Sequence, residues 1–164
     1  MYKKILVPLD GSKLSELSLK HLNTITSGCR TCQIILATVV ETPFVPVSEY
    51  FTAQEARDAI PAKMLEKAEK EIKKKAKDYL SKAAKSLKSK GMTVQTVLIE
   101  PVLAEDIAEA ILSYAKKNKV ELIIMSTHGR GGIIRWAMGS VADKIVRHAS
   151  SPVLTVSPAG SRKS

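Results

Sequence analysis

Aromatic residues make up only 4% of this 164-residue chain. That is too few for the stacking platforms with which single-strand binders hold bases. Long apolar runs are missing too, and none reaches the roughly 18 residues needed to span a bilayer. The run Ile5-Leu6-Val7 after the basic Met1-Tyr2-Lys3-Lys4 meets Pro8 and Asp10 at once, which is too short for a signal-peptide core. A soluble, cytoplasmic protein is expected. Cysteine is nearly absent, with only Cys29 and Cys32, and the three histidines His21, His128 and His148 are scattered. A zinc site needs two further ligands, and no second pair exists. The cysteines follow a helical pattern and precede a strand, the reverse of a thioredoxin-like motif. We read them as incidental, with a local disulfide as the alternative.

Two phosphate motifs are also missing. No Gly-x-x-x-x-Gly-Lys-Ser/Thr string occurs. Gly129-Arg130-Gly131 begins a Gly-x-Gly-x-x-Gly fingerprint, but its sixth position is Ile134. An NAD enzyme or a P-loop ATPase is therefore not expected.

What the chain has in excess is lysine. Lys plus Arg number 26 against 16 acids, giving a net charge of +10 and a pI near 9.6. Lys63 to Lys90 holds eleven lysines and four acids, so +7 of that charge sits in one helix. The composition reads as a solvated helix face, and nucleic-acid binding is not the expected main role. Apolar content is 45%, enough for the core of one domain and too little for two.

Strand and helix patterns alternate. Lys4 to Leu9 is a buried strand, and Asp10-Gly11-Ser12 is a turn where Ser12 or Ser15 caps the next helix. Leu14, Leu17, Leu19, Leu22 and Ile25 mark that helix over Ser15 to Ile25, ended by Gly28; Gln33 to Val40 is the second strand. Glu41 to Pro61 is a long, proline-bearing connection, with a turn or two of helix over Ala53 to Ala59. Ala62 to Lys90 is a long helix with acid-before-base pairs such as Glu69–Lys73 and Glu71–Lys75. Then come a strand at Thr93 to Ile99, a helix at Ala104 to Asn118, a strand at Val120 to Met125, a helix at Ser140 to His148 and a strand at Val153 to Val156. This order predicts an α/β fold: a five-stranded parallel open sheet with helices on both faces. One domain over residues 1–157 is expected, with a flexible tail at 158–164.

Ligands in such sheets bind beyond the carboxyl ends of the strands. Here those ends are Pro8-Leu9-Asp10, Val39-Val40 and Ser126 to Gly132. The last feeds a glycine-bearing loop and then the helix starting at Ser140. Unpaired N–H groups and the helix dipole make such a start an anion site.

The string Gly129, nine residues, Gly139-Ser140 resembles the signature of the universal stress protein family, Gly-x-x-Gly, nine residues, Gly-Ser/Thr. The resemblance covers most of the chain. The opening Tyr2 to Ser12 looks like the family's first strand and turn, and Ser140 to Leu154 like its closing helix and strand. Two positions depart. Ser126 stands where the family has its first signature glycine, and Glu100-Pro101-Val102-Leu103-Ala104 replaces a common Gly-x-Pro-Ala string.

The resemblance implies a Rossmann-like sheet of the adenine nucleotide alpha hydrolase kind, and a stress-response protein that binds ATP or AMP as a switch or interaction module. Magnesium or manganese would arrive with the phosphates, with no metal site of the protein's own. By the same resemblance Pro8, Leu9 and Asp10 face the ribose or adenine side, and Val39 meets the adenine. Ser126, His128, Gly129 and Arg130 line the phosphate path, while Gly139, Ser140, Val141 and Ala142 offer backbone groups and a hydroxyl. Each also has a plainer reading: Asp10 as a turn acid, Val39 as core, Gly129 as a turn, Arg130 as a solvated charge, Ser140 as a helix cap. No catalytic residue is expected; His128 has no visible partner, and turnover would be at most that of a slow ATPase. Trp136, among Ile133, Ile134 and Met138, packs the loop or forms a lid. Family members commonly pair through the last strand, which implies a homodimer through Val153 to Val156. The alternative class is a dimeric family member that binds no nucleotide and works through protein partners.

Overall fold

A computed structural model describes residues 2–27, 31–41, 62–88, 92–102, 105–127 and 138–157. Five strands form one parallel sheet: β1 (Lys4–Pro8), β2 (Gln33–Val39), β3 (Thr93–Ile99), β4 (Leu122–Ser126) and β5 (Val153–Val156). Their order is β3-β2-β1-β4-β5. The order reverses between β1 and β4, the place where open parallel sheets carry their ligand crevice. The expected fold is the observed one.

The sheet is buried on both faces because successive side chains of an apolar strand alternate between them. Leu6, Ile35, Ile123 and Met125 pack on one face with Ala108, Ile111 and Ala115 of α3 (Ile107–Lys117) and Ala142 and Ile145 of α4 (Ser140–His148). Ile5, Val7, Ile34, Leu36 and Ile124 pack on the other with Leu22, Leu80 and Leu87. Leu22 opens the short helix α1 (Leu22–Thr26). Leu80 and Leu87 belong to α2 (Ala62–Lys88), which crosses β3 and β2.

Three expectations need correction. The first helix is mostly a 3-10 helix, Ser15–His21, and only its last residues, Leu22–Thr26, are α-helical. Its serines explain this: the Ser15 and Ser18 hydroxyls donate to the Ser12 and Ser15 carbonyls at 2.9 and 2.6 Å, three residues back. Such local bonds compete with the α-helical pattern. The helix α3 starts three residues later than Ala104, because Asp106 and Glu109 form a reciprocal capping box. Cys32, expected as incidental, is buried and disulfide-bonded. Gly28, Cys29, the connection 42–61 and the tail 158–164 lie outside the described residues. No helix among the described residues is long and apolar enough to cross a membrane.

Candidate functional site

The carboxyl ends of β1, β2 and β4 put Pro8, Leu9, Val39 and Ser126 at one end of the sheet. Leu9 is locked there: its N–H donates to the Ala37 carbonyl at 2.8 Å, and its carbonyl accepts from the buried Thr38 hydroxyl at 2.9 Å. Asp10 follows, half-buried. Its Oδ1 accepts from the Ser12 N–H at 2.9 Å across Gly11, whose φ of 84° is a conformation only glycine takes cheaply. The Ser12 hydroxyl in turn accepts from the Ser15 N–H at 3.1 Å. The residue at the N-cap is Leu14, with no side-chain cap bond, so neither Ser12 nor Ser15 is the cap, although the Ser12 hydroxyl takes the first N–H of the helix. Asp10 has the turn-acid role.

The other wall is the start of α4. The Gly139 N–H donates to the Thr127 carbonyl at 2.8 Å, and the Thr127 N–H donates to the Val156 carbonyl at 3.0 Å. These bonds fix the helix start against the ends of β4 and β5. Gly139 is the N-cap residue, with φ −58° and ψ 148° and no side chain to cap with. Ser140 is thus the first helical residue and not the cap, contrary to the plainer expectation. The first N–H to bond back within the helix is that of Asp143, to the Gly139 carbonyl at 2.9 Å. The N–H groups of Ser140, Val141 and Ala142 precede it, with no side-chain cap. Donors in this position suit an anion. Ser140 is exposed, Val141 half-buried and Ala142 buried.

Ser126 is the last residue of β4, paired with Val156 and 6% exposed. Among described non-glycine residues only Lys119 has positive φ. Glycine is therefore not required at 126 by backbone angle. Met125 belongs to the cluster that includes α4, and Ile124 to the cluster on the opposite face. Strand alternation puts Ser126 with Ile124, on the face away from α4.

A three-way ion cluster holds α4 to α3. Lys144 Nζ lies 2.6 Å from Asp106 Oδ2 and 2.7 Å from Glu109 Oε1. The lysine's hydrogen bonds hold both carboxyls below their ordinary range, helped by the capping-box backbone bonds, and the two carboxylates raise Lys144 in return. Sequence reasoning overlooked this cluster, although Asp106-Ile107-Ala108-Glu109 carries the capping-box spacing.

His128, Gly129, Arg130 and Trp136 lie outside the described residues. No group of three metal-ligating side chains occurs among the described residues. A groove of about 380 Å³ lined by Glu16, Leu19, Lys20, Tyr79 and Lys82 among others shares no residue with the expected set.

Comparison with known proteins gives a consistent family. The model of the universal stress protein family matches residues 1–157. Universal stress protein MJ0531 of Methanocaldococcus jannaschii is 31% identical over 157 residues, covering 95% of this chain and 82% of that protein. The solved structure of MJ0577 of Methanocaldococcus jannaschii superposes with a TM-score of 0.76 at 24% identity, covering 98% of this chain and 99% of that one. An Arabidopsis thaliana universal stress family protein solved with AMP bound superposes with a TM-score of 0.62 at 19% identity, covering 97% of each chain.

Proposed function

We propose that this chain, which belongs to the universal stress protein family, binds an adenine nucleotide, ATP or AMP, at the carboxyl ends of β1, β2 and β4. The observation that carries the reading is the start of α4. A side-chain-free cap residue, Gly139, leaves the Ser140, Val141 and Ala142 N–H groups without a side-chain cap, at a helix start tied to Thr127 just past the end of β4. The AMP held by the Arabidopsis relative supports the ligand class.

In this reading phosphate oxygens accept from those N–H groups and from the Ser140 hydroxyl, and the helix dipole adds to the attraction. His128, Gly129 and Arg130 complete the phosphate path. Asp10 and Val39, with Pro8 and Leu9, bound the nucleoside side. Magnesium or manganese comes with a triphosphate. The bound nucleotide changes which partner surface the protein offers, as a stress-response switch does. No residue is assigned to catalysis, and hydrolysis is at most slow. Isothermal titration calorimetry with AMP, and with ATP and magnesium, tests the reading; absence of heat at millimolar nucleotide defeats it.

A second reading has its own observation. Leu154 on β5, an end strand of the sheet, and Val146 on α4 are exposed apolar side chains. An unpaired, apolar edge strand is a pairing surface. A homodimer through Val153–Val156 covers it, and a dimer without nucleotide would work through protein partners alone.

A further inference from the structure

The long helix α2 (Ala62–Lys88) carries lysines that differ sharply in surroundings. Lys73 lies 2.7 Å from Glu69 and 3.0 Å from Glu100, and Lys75 lies 3.0 Å from Glu71. Neither belongs to a separate exposed row: Lys63, Lys67, Lys70, Lys74 and Lys77, then Ser81, Lys85 and Lys88. The spacing of three and four residues confines all eight positions to an arc of about 80°. No acid falls inside it. Each row lysine is exposed, and none has a carboxylate within ion-pair reach among the described residues. The side chains that this helix buries against the sheet are Leu80, Ala84 and Leu87, with Tyr79 and Ala83 partly buried beside them; the three lie about 60–120° round the helix from the centre of the row. Glu66, Glu71 and Asp78 flank the row, and Glu71 is already engaged by Lys75.

We propose that this lysine row is a docking surface for double-stranded nucleic acid, held through its phosphates without reading sequence. Charge complementarity and shape select the occupant. Like charges at neighbouring helix positions destabilise the helix that holds them, and a polyanion removes that cost. From Lys63 to Lys88 the row is about 37 Å long at the α-helical rise of ~1.5 Å per residue. One turn of B-form duplex spans ~34–36 Å and offers about one phosphate charge per 1.7 Å of axis. Lysine acts on phosphate as a point charge without base discrimination. Single strands fit poorly, because the row contains no aromatic ring to stack on. A membrane fits poorly, because an interfacial helix presents its apolar face to lipid, and here that face is turned to β2 and β3. The composition of this helix, ten lysines with four acids, concealed the row; the paired lysines, Lys73 and Lys75, lie off it, as does Lys82.

The test is fluorescence anisotropy of the full chain with a labelled 20-base-pair duplex of two unrelated sequences, across a salt series. Equal binding of both sequences is expected, with log K falling against log salt at a slope of about −4 to −6, since each neutralised phosphate contributes roughly −0.9. The variant K67Q/K70Q/K74Q/K77Q should flatten the slope by about three and weaken binding more than tenfold near ~100 mM salt. The variant K13Q/K20Q/K116Q/K117Q removes the same charge off the row and should leave slope and affinity within about threefold of the parent. Glutamine keeps helix propensity close to lysine's, and circular dichroism confirms folding of each. Equal losses in the two variants overturn the proposal, since net charge alone then explains binding. So do an undetectable parent complex at ~50 mM salt and tighter binding to phosphatidylserine vesicles than to duplex.

Discussion

The Gly139 N–H and the Thr127 carbonyl are 2.8 Å apart, so the chain that leaves β4 re-enters the fold, as α4, where it departed. This single bond sets where the helix start stands relative to the strand ends. Everything proposed about phosphate binding depends on that placement and on the lack of a side chain at Gly139.

Gly139 offers a variant in which stability and binding move in opposite directions. Its φ and ψ suit any residue, so Gly139→Asp introduces a capping carboxylate without backbone strain. Aspartate at an N-cap gains roughly a few tenths of a kcal/mol over glycine. The same carboxylate occupies and repels the phosphate position. Thermal unfolding should show an equal or higher Tm, while calorimetry shows affinity for AMP reduced at least tenfold.

Ser126 departs from the family signature, yet strand alternation directs it away from α4. Ser126→Gly should therefore raise nucleotide affinity by less than about tenfold, or ~1.4 kcal/mol. It should also destabilise the fold by roughly 0.5–1 kcal/mol, because glycine in a strand loses more backbone entropy. Paired calorimetric and denaturant titrations read both. A nucleotide response that appears only in the glycine variant supports the reading without ligand.

The amount of this fold that the sequence discloses depends on how local its cause is. Thr93–Ile99, Ser140–His148 and Val153–Val156 have the bounds expected of them, since apolar alternation and flanking Gly or Pro decide them locally. The 3-10 helix at Ser15–His21 does not, because leucine spacing of three to four residues fits both helix types and the serine hydroxyls decide between them. Asp10 and Gly139 could be nominated from motif and order. That Gly139 rather than Ser140 caps the helix depends on hydrogen bonding that no spacing encodes, and that Ser126 turns from α4 depends on which face of the sheet α4 covers. The Lys144 cluster joins residues 38 and 35 positions apart, so only the packing of α3 on α4 discloses it.

That cluster has a pH window. Asp106 and Glu109 are lowered from ordinary values of 3.8 and 4.5, chiefly by Lys144. Their contribution is present above those values and is lost as pH falls through the lowered ones. Lys144 is raised above 10.5, so its contribution is present below that value and lost as pH rises through the raised one. Lys144→Gln should flatten the fall in Tm at both extremes relative to the parent, and should lower Tm slightly at neutral pH.

Tyr79 on α2 has a buried hydroxyl with no hydrogen-bond partner among the described residues. Burial pushes its pKa up from 10.0 to about 12, against a smaller opposing effect from the Ser15 hydroxyl. The folded protein then holds this proton between those two values while the unfolded chain releases it, so stability declines as pH rises through that interval. Ultraviolet titration of phenolate absorbance should find one tyrosine ionising near 12. Tyr79→Phe should remove that signal and leave stability unchanged or higher, because a buried polar atom is removed.

Calorimetry of the full chain with AMP, beside the Gly139→Asp variant, tests the central proposal most directly. Saturable one-site binding by the parent, weakened at least tenfold in the variant, is the expected result. Binding equal in both proteins, or no heat from the parent at millimolar AMP or magnesium-ATP, contradicts it.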